Sequence, residues 1–169
     1  MITFIIGGVK SGKTSFALKK AENKGNKNCY YIATARAIDE EMKERIERHK
    51  RERGSHWTTI EEPIKIGEII NKLPEKSILV VDCLNTWITN LLVEGFEYED
   101  FVESFINSVL KNREKIEIFI VANEVGLGIV PENELSRRFI DIAGTLNQRI
   151  MNICDKAYFM IAGIPLEIK

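Results

Sequence analysis

Residues 7–14 read Gly7-Gly8-Val9-Lys10-Ser11-Gly12-Lys13-Thr14. These residue types at this spacing suit the binding of phosphate. Glycines let the backbone curl closely around an anion. The loop N–H groups, with those opening the next helix, then point at it. Lys13 is placed to reach the outer phosphates and Thr14 to hold Mg²⁺. An apolar run precedes the loop and a helical pattern follows it, which favours nucleotide binding over a plain glycine turn.

Two other residues could do chemistry. Asp82 closes the apolar run Ile78 to Val81, where a carboxylate that holds Mg²⁺ opposite Thr14 belongs. Its alternative role is to cap the next helix. Cys83 beside it reads as a small buried hydrophobe, since no base is evident near it. His49 shares one face with Met42 and Ile46 in an otherwise charged stretch, with Lys50, Arg51 and Arg53 after it. Imidazole is largely neutral yet nucleophilic near neutral pH and can attack phosphorus without a separate base. From spacing alone, a packed or hydrogen-bonded histidine is the plainer reading.

The elements that must position these residues alternate along the chain. Ile2 to Ile6, Cys29 to Ala33, Trp57 to Ile60, Ile78 to Val81 and Ile116 to Ala122 read as strands. Helical periodicity follows Thr14, runs from Asp39 to Arg53 with Asp39 as N-cap, and recurs over Ile64 to Leu73. It returns in Leu84 to Leu92, Tyr98 to Leu110 and Asn133 to Asn152. Helix stops fall at Gly25-Asn26 and Gly54-Ser55. In the last helix Leu135, Phe139, Ile142, Leu146 and Ile153 are expected inward, and Gly144 implies close packing. Ala157 to Ile161 and Leu166 to Ile168, joined at Gly163-Ile164-Pro165, make an antiparallel edge hairpin. The expected fold is an α/β P-loop NTPase, RecA-like: a mostly parallel sheet flanked by helices, in one domain over residues 1–169. Ligands in such sheets gather at the carboxyl ends of the strands. The phosphate loop, Thr34, Asp82 and Asn123 all lie there. Asn123 to Pro131, with Gly126 and Gly128, reads as a loop mobile enough to close over a substrate.

Composition excludes several classes. The chain has 169 residues, 44% hydrophobic and 29% charged, with formal net charge −1. It exerts no overall pull on nucleic acid or an acidic membrane. Cys29, Cys83 and Cys154 form no C-x-x-C pair and read as reduced thiols of a cytoplasmic protein. No apolar run reaches membrane-spanning length, so stable membrane insertion is not expected.

Taken together these motifs resemble the bifunctional adenosylcobinamide kinase / adenosylcobinamide-phosphate guanylyltransferase family of cobalamin biosynthesis. The likeness covers nearly the whole chain. It includes the phosphate loop, Tyr31-Ile32-Ala33-Thr34-Ala35, and Arg45-Ile46-x-x-His49. It continues through Trp57-x-Thr59-x-Glu61, Asp82-Cys83-Leu84 and Thr89-Asn90-Leu91-Leu92. The most specific stretch is Asn123-Glu124-Val125-Gly126-x-Gly128-Ile129-Val130-Pro131-Glu132-Asn133, running on to Arg137-x-Phe139 and Gly144. Asp82 and Thr14 stand where some members have Glu and Ser.

The resemblance implies two steps: phosphorylation of adenosylcobinamide by ATP or GTP, then transfer of GMP from GTP to adenosylcobinamide phosphate. It implies that His49 carries GMP covalently, which reverses the reading from spacing. It implies that Ala33, Thr34, Ala35, Lys50, Arg51, Glu52, Arg53, Glu61 and Asp82 join the phosphate loop in binding GTP. It also implies a homotrimer. The alternatives are a single-activity small-molecule kinase, or a nucleotide-binding switch or RecA-like module. Against the latter stand the lack of a guanine-reader motif and of a basic nucleic-acid surface.

Overall fold

The structure, a computed structural model, describes residues 1–25 and 28–169. The helix stop expected at Gly25-Asn26 therefore lies partly outside the described residues, as do the side chains of Arg45 and Glu52. A sheet of seven strands runs through the molecule in the order β3-β2-β4-β5-β1-β6-β7. These are β1 (Ile2–Gly7), β2 (Cys29–Ala33), β3 (Trp57–Glu61), β4 (Ile78–Asp82), β5 (Glu117–Asn123), β6 (Lys156–Ile161) and β7 (Ile164–Glu167). Every pairing is parallel except that of β6 with β7, the expected edge hairpin. Its turn lies at Ala162-Gly163 and not at the expected Gly163-Ile164-Pro165, because Ile164 and Pro165 already pair with Ile161 and Met160; both turn residues have positive φ, which suits a tight two-residue connection.

Both faces of the sheet are covered, which is why the central strands are continuously apolar. Side chains alternate along a strand, so Ile2, Phe4 and Ile6 enter one core and Ile5 the other. α1 (Lys13–Glu22) packs Ala17, Leu18 and Ala21 over Ile5, Val80 and Phe119. Against the opposite face lie α3 (Ile66–Ile70), α4 (Leu84–Val93), α5 (Tyr98–Asn112) and α6 (Glu134–Ile153). Trp87 is fully buried there and donates its indole N–H to Ile64 O at 2.7 Å. α2 (Glu40–Arg53) begins at Asp39, whose carboxylate accepts from Met42 N at 2.7 Å, an N-cap that satisfies an otherwise orphaned donor.

Three further local expectations are corrected. The helix expected over Ile64 to Leu73 is only Ile66–Ile70. The Glu62 carboxylate accepts from Ile64 N and Lys65 N and holds them in a turn. Lys72 N and Leu73 N bond three residues back and tighten the far end. Leu135, expected inward, is 55% exposed, because the first turn of α6 sets it along an open groove with Leu92 and Phe139. Gly144 has open space where a Cβ would project, so no packing among the described residues requires glycine there.

Candidate active site

The carboxyl ends of β1, β2, β4 and β5 are brought together by the sheet register. Gly7 pairs with Asn123, and Ala33 lies between Asp82 and Glu61. A crevice of about 400 Å³ opens over these ends. Its walls include the phosphate loop from Val9 to Thr14, Ala33 and Ala35, Asp82, and the apolar face of α2 with Met42, Ile46 and His49. The charged helix thus contributes His49 to the same crevice that the phosphate loop lines. The charged residues of the lining are Lys10, Lys13, Arg48 and Arg53 against Asp82, a positive balance that suits a polyphosphate.

The loop's shape follows from its glycines. Gly7 has φ +156°, and a Cβ there would meet Met160 O at 2.5 Å. Gly12 at φ +90° caps α1 in a left-handed conformation. Gly163 N donates to Ser11 O at 3.0 Å, so the edge hairpin braces the loop. Lys13 is 7% exposed and donates from Nζ to Gly8 O at 2.5 Å. Burial lowers its pKa, only partly countered by Asp82. An anion here would restore what the ammonium loses by leaving water.

Asp82 is the junction of the site. Its Oδ2 accepts from Thr14 Oγ1 at 2.6 Å and from Tyr31 Oη at 2.7 Å. Burial first, then the Asp82 carboxylate, pushes the Tyr31 phenol well above its usual pKa, so it remains a donor. Cys83 lies in the crevice wall, and burial raises its thiol pKa; it is not an activated nucleophile. Thr14 Oγ1 and Asp82 Oδ2 are hard oxygen donors at one point. Mg²⁺ takes few protein oxygens and completes its shell with phosphate and water, so this pair fits it.

The other expected residues fall in different places. Thr34 is 0% exposed. Its hydroxyl accepts from Cys83 N at 2.9 Å and lies within donor reach of Cys83 O, while Asn90 Nδ2 donates to its carbonyl. Its hydroxyl and carbonyl thus brace the β4–α4 junction beneath the crevice. Lys50 and Glu61 pair with each other at 2.6 Å, outside the crevice lining; the Glu61 hydrogen bond raises the Lys50 pKa despite opposing desolvation. Arg51 is exposed. Arg53 is 4% exposed, and its guanidinium lies 3.9 Å over the Tyr31 ring.

Tyr31, in the sequence only the first residue of a matching stretch, and Thr86 also line the crevice. Tyr31 was recoverable, because it precedes Ala33 by two in a strand and so shares its face. Thr86 carried no such signal. Asn123, the last residue of β5, lines the crevice, and residues 124–131 after it do not; Val125 lines an apolar groove with Leu92, Val93, Leu135 and Phe139.

The family described as CobU, cobinamide kinase / cobinamide phosphate guanyltransferase, matches residues 3–168. The chain belongs to this family. It is therefore an enzyme, a kinase and guanylyltransferase of cobalamin biosynthesis. The bifunctional adenosylcobalamin biosynthesis protein CobP of Pseudomonas aeruginosa is 41% identical over 177 residues, covering 100% of this chain and 98% of that protein. CobU of Escherichia coli is 33% identical over 184 residues, covering all of both chains. Among solved structures, flagellar accessory protein FlaH from Methanocaldococcus jannaschii aligns with TM-score 0.55 and 14% identity, over 99% of this chain and 77% of that one. A solved ATPase domain aligns with TM-score 0.51 and 14% identity, over 94% of this chain and 68% of that one. Likeness at this level shows the fold alone, the RecA-like P-loop fold expected. No described helix is long and apolar enough to cross a membrane.

Proposed function

We propose that one triphosphate cradle serves both reactions of this family member, and that in the second of them His49 carries GMP from GTP to adenosylcobinamide phosphate. The observation that carries the reading is the presence of His49 and the phosphate loop in the walls of one crevice. In the kinase step a hydroxyl of adenosylcobinamide attacks the γ-phosphorus of ATP or GTP, and the nucleoside diphosphate leaves. Loop N–H groups and Lys13 stabilise charge on the transferring phosphoryl group, so catalysis is mostly positioning and electrostatics.

In the second step an imidazole nitrogen of His49 forms a bond to the α-phosphorus of GTP. The α–β bridging P–O bond breaks, and pyrophosphate leaves with the electron pair. A phosphate oxygen of adenosylcobinamide phosphate then displaces the imidazole and gives adenosylcobinamide-GDP. Dividing the transfer replaces one difficult displacement with two easier ones. Lys10 and Arg48 supply positive charge around the phosphates, while the guanidinium of Arg53 is taken up by Tyr31 and Thr59. Thr14 and Asp82 would hold Mg²⁺, which when bound supplies charge neutralisation on the triphosphate. Ala33 and Ala35, small residues at the end of β2, leave room for the nucleotide. Glu61, beside Ala33 in the sheet, could accept from the guanine edge if it left Lys50. The same reading includes one catalytic domain over residues 1–169, a cytoplasmic location and a homotrimer. The apolar groove beside Val125 and the exposed Leu127, Ile129 and Val130 are surface that assembly would cover.

GTP labelled at the α-phosphorus tests the covalent step. Acid-labile, base-stable label should appear on the protein and vanish in His49→Ala, while the kinase step survives in part. Lys13→Ala should damage both. Label retained on His49→Ala would refute the assignment.

A further inference from the structure

Helix α2 is unusually polar, and among its described side chains only Arg53 is buried. Met42, Ile46 and His49 are half-buried against the crevice. Arg53 follows His49 by four residues, so the two share a face one turn apart. Whatever holds Arg53 therefore sets how His49 is presented. The guanidinium lies 3.9 Å over the Tyr31 ring and Nη2 donates to Thr59 Oγ1 at 3.3 Å, while Nε is buried with no hydrogen-bond partner among the described residues. The ring is fixed in turn by an edge contact with Trp57, centroids 6.5 Å apart at 85°. Its hydroxyl donates to the same Asp82 oxygen that accepts from Thr14.

We propose that Tyr31 is a positioning residue with two separable tasks. Its hydroxyl orients the Asp82 carboxylate at the end of the phosphate cradle, and its ring seats Arg53 and hence the last turn of the helix bearing His49. One side chain then holds the cradle and the histidine helix in a fixed mutual geometry. A planar guanidinium lies flat on an aromatic face while its edge N–H groups still donate, a combination that the compact ammonium of lysine cannot reproduce even where it sits over a ring. Outer partners of a metal-holding carboxylate govern its orientation and the affinity of the site. The inference rests on the reading of His49 above for one readout only.

Two variants separate the tasks. Tyr31→Phe keeps the ring and removes the hydroxyl. The Mg²⁺ concentration that half-saturates Mg²⁺-dependent GTP binding, measured by calorimetry, should rise about tenfold. GTP binding in EDTA and amide exchange across Glu40–Arg53 should stay as in the parent. Arg53→Met keeps the hydroxyl contact and empties the seat. Amide exchange across Glu40–Arg53 should quicken about tenfold, with α1 unchanged, and protein labelling by α-labelled GTP should slow at an unchanged Mg²⁺ requirement. Arg53→Lys should resemble Arg53→Met, and replaces it if that variant lacks a cooperative melt. An unaltered Mg²⁺ requirement in Tyr31→Phe, or parent-like α2 exchange in both Arg53 variants, would overturn the proposal. If His49→Ala keeps its label, the covalent reading fails while the Mg²⁺ and exchange readouts still decide this one.

Discussion

Replacing Thr34 with valine separates a residue that braces the site from one that touches the nucleotide. Valine keeps the shape of threonine but has no hydroxyl. In the fully buried Thr34 that hydroxyl accepts from Cys83 N and reaches Cys83 O, both at 2.9 Å. Its loss leaves a part-buried N–H without a partner at the end of β4. An unsatisfied buried group costs about 1–3 kcal/mol. Taking about 2 kcal/mol, and roughly 2–4 °C per kcal/mol for a chain of this size, the melting temperature should fall by about 4–8 °C. GTP affinity, measured by calorimetry well below the melt, should stay within about threefold, under about 1 kcal/mol. Asp82 keeps its side-chain contacts to Thr14 and Tyr31 in this variant. An unchanged melt with an affinity loss above about tenfold would refute the brace and return Thr34 to the nucleotide contacts.

Three other outcomes follow from particular residues. Gly7→Ala places a Cβ about 2.5 Å from Met160 O at φ +156°; it should cost roughly 1–3 kcal/mol in backbone strain alone and weaken GTP binding, both seen in a nucleotide-dependent thermal shift. Gly144→Ala meets open space and should stabilise α6 by about 1 kcal/mol; a lower melt would mean that something outside the described residues packs there. Asp155 has its pKa lowered: burial alone would raise it, but the Ile2 N–H, Arg113 and the N-terminal amine outweigh burial. A depressed carboxylate stabilises fully above its unfolded value, near 3.8, and loses that contribution as pH falls through its folded value. Asp155→Asn should therefore unfold at lower urea than the parent at neutral pH, with the gap closing below the ordinary carboxylate range. A gap that widens in acid would reverse the sign.

The sequence by itself determined the phosphate loop, the strand and helix order, the edge hairpin and the family. Each of these is local. Gly12-Lys13-Thr14, the run from Ile78 to Asp82, and the Asp39 cap carry their meaning within a few residues. The resemblance is a sum of such stretches. Element bounds failed where a contact distant in sequence or a turn overrode periodicity, as when Glu62 shortened α3. Only the tertiary structure decided which strand-end residues face the crevice and which lie beneath it. Thr34 and Ala35 are neighbours in sequence, yet one is a buried brace and the other a wall. Arg53 and Lys50 share a basic cluster, yet one stacks on Tyr31 inside and the other pairs with Glu61 outside. The reason is that a strand or helix pattern gives a side chain's direction relative to its own element, while its neighbours depend on how separate elements pack. The meeting of Tyr31, Asp82 and Thr14 spans β2, β4 and α1, and so exists only once the sheet has formed.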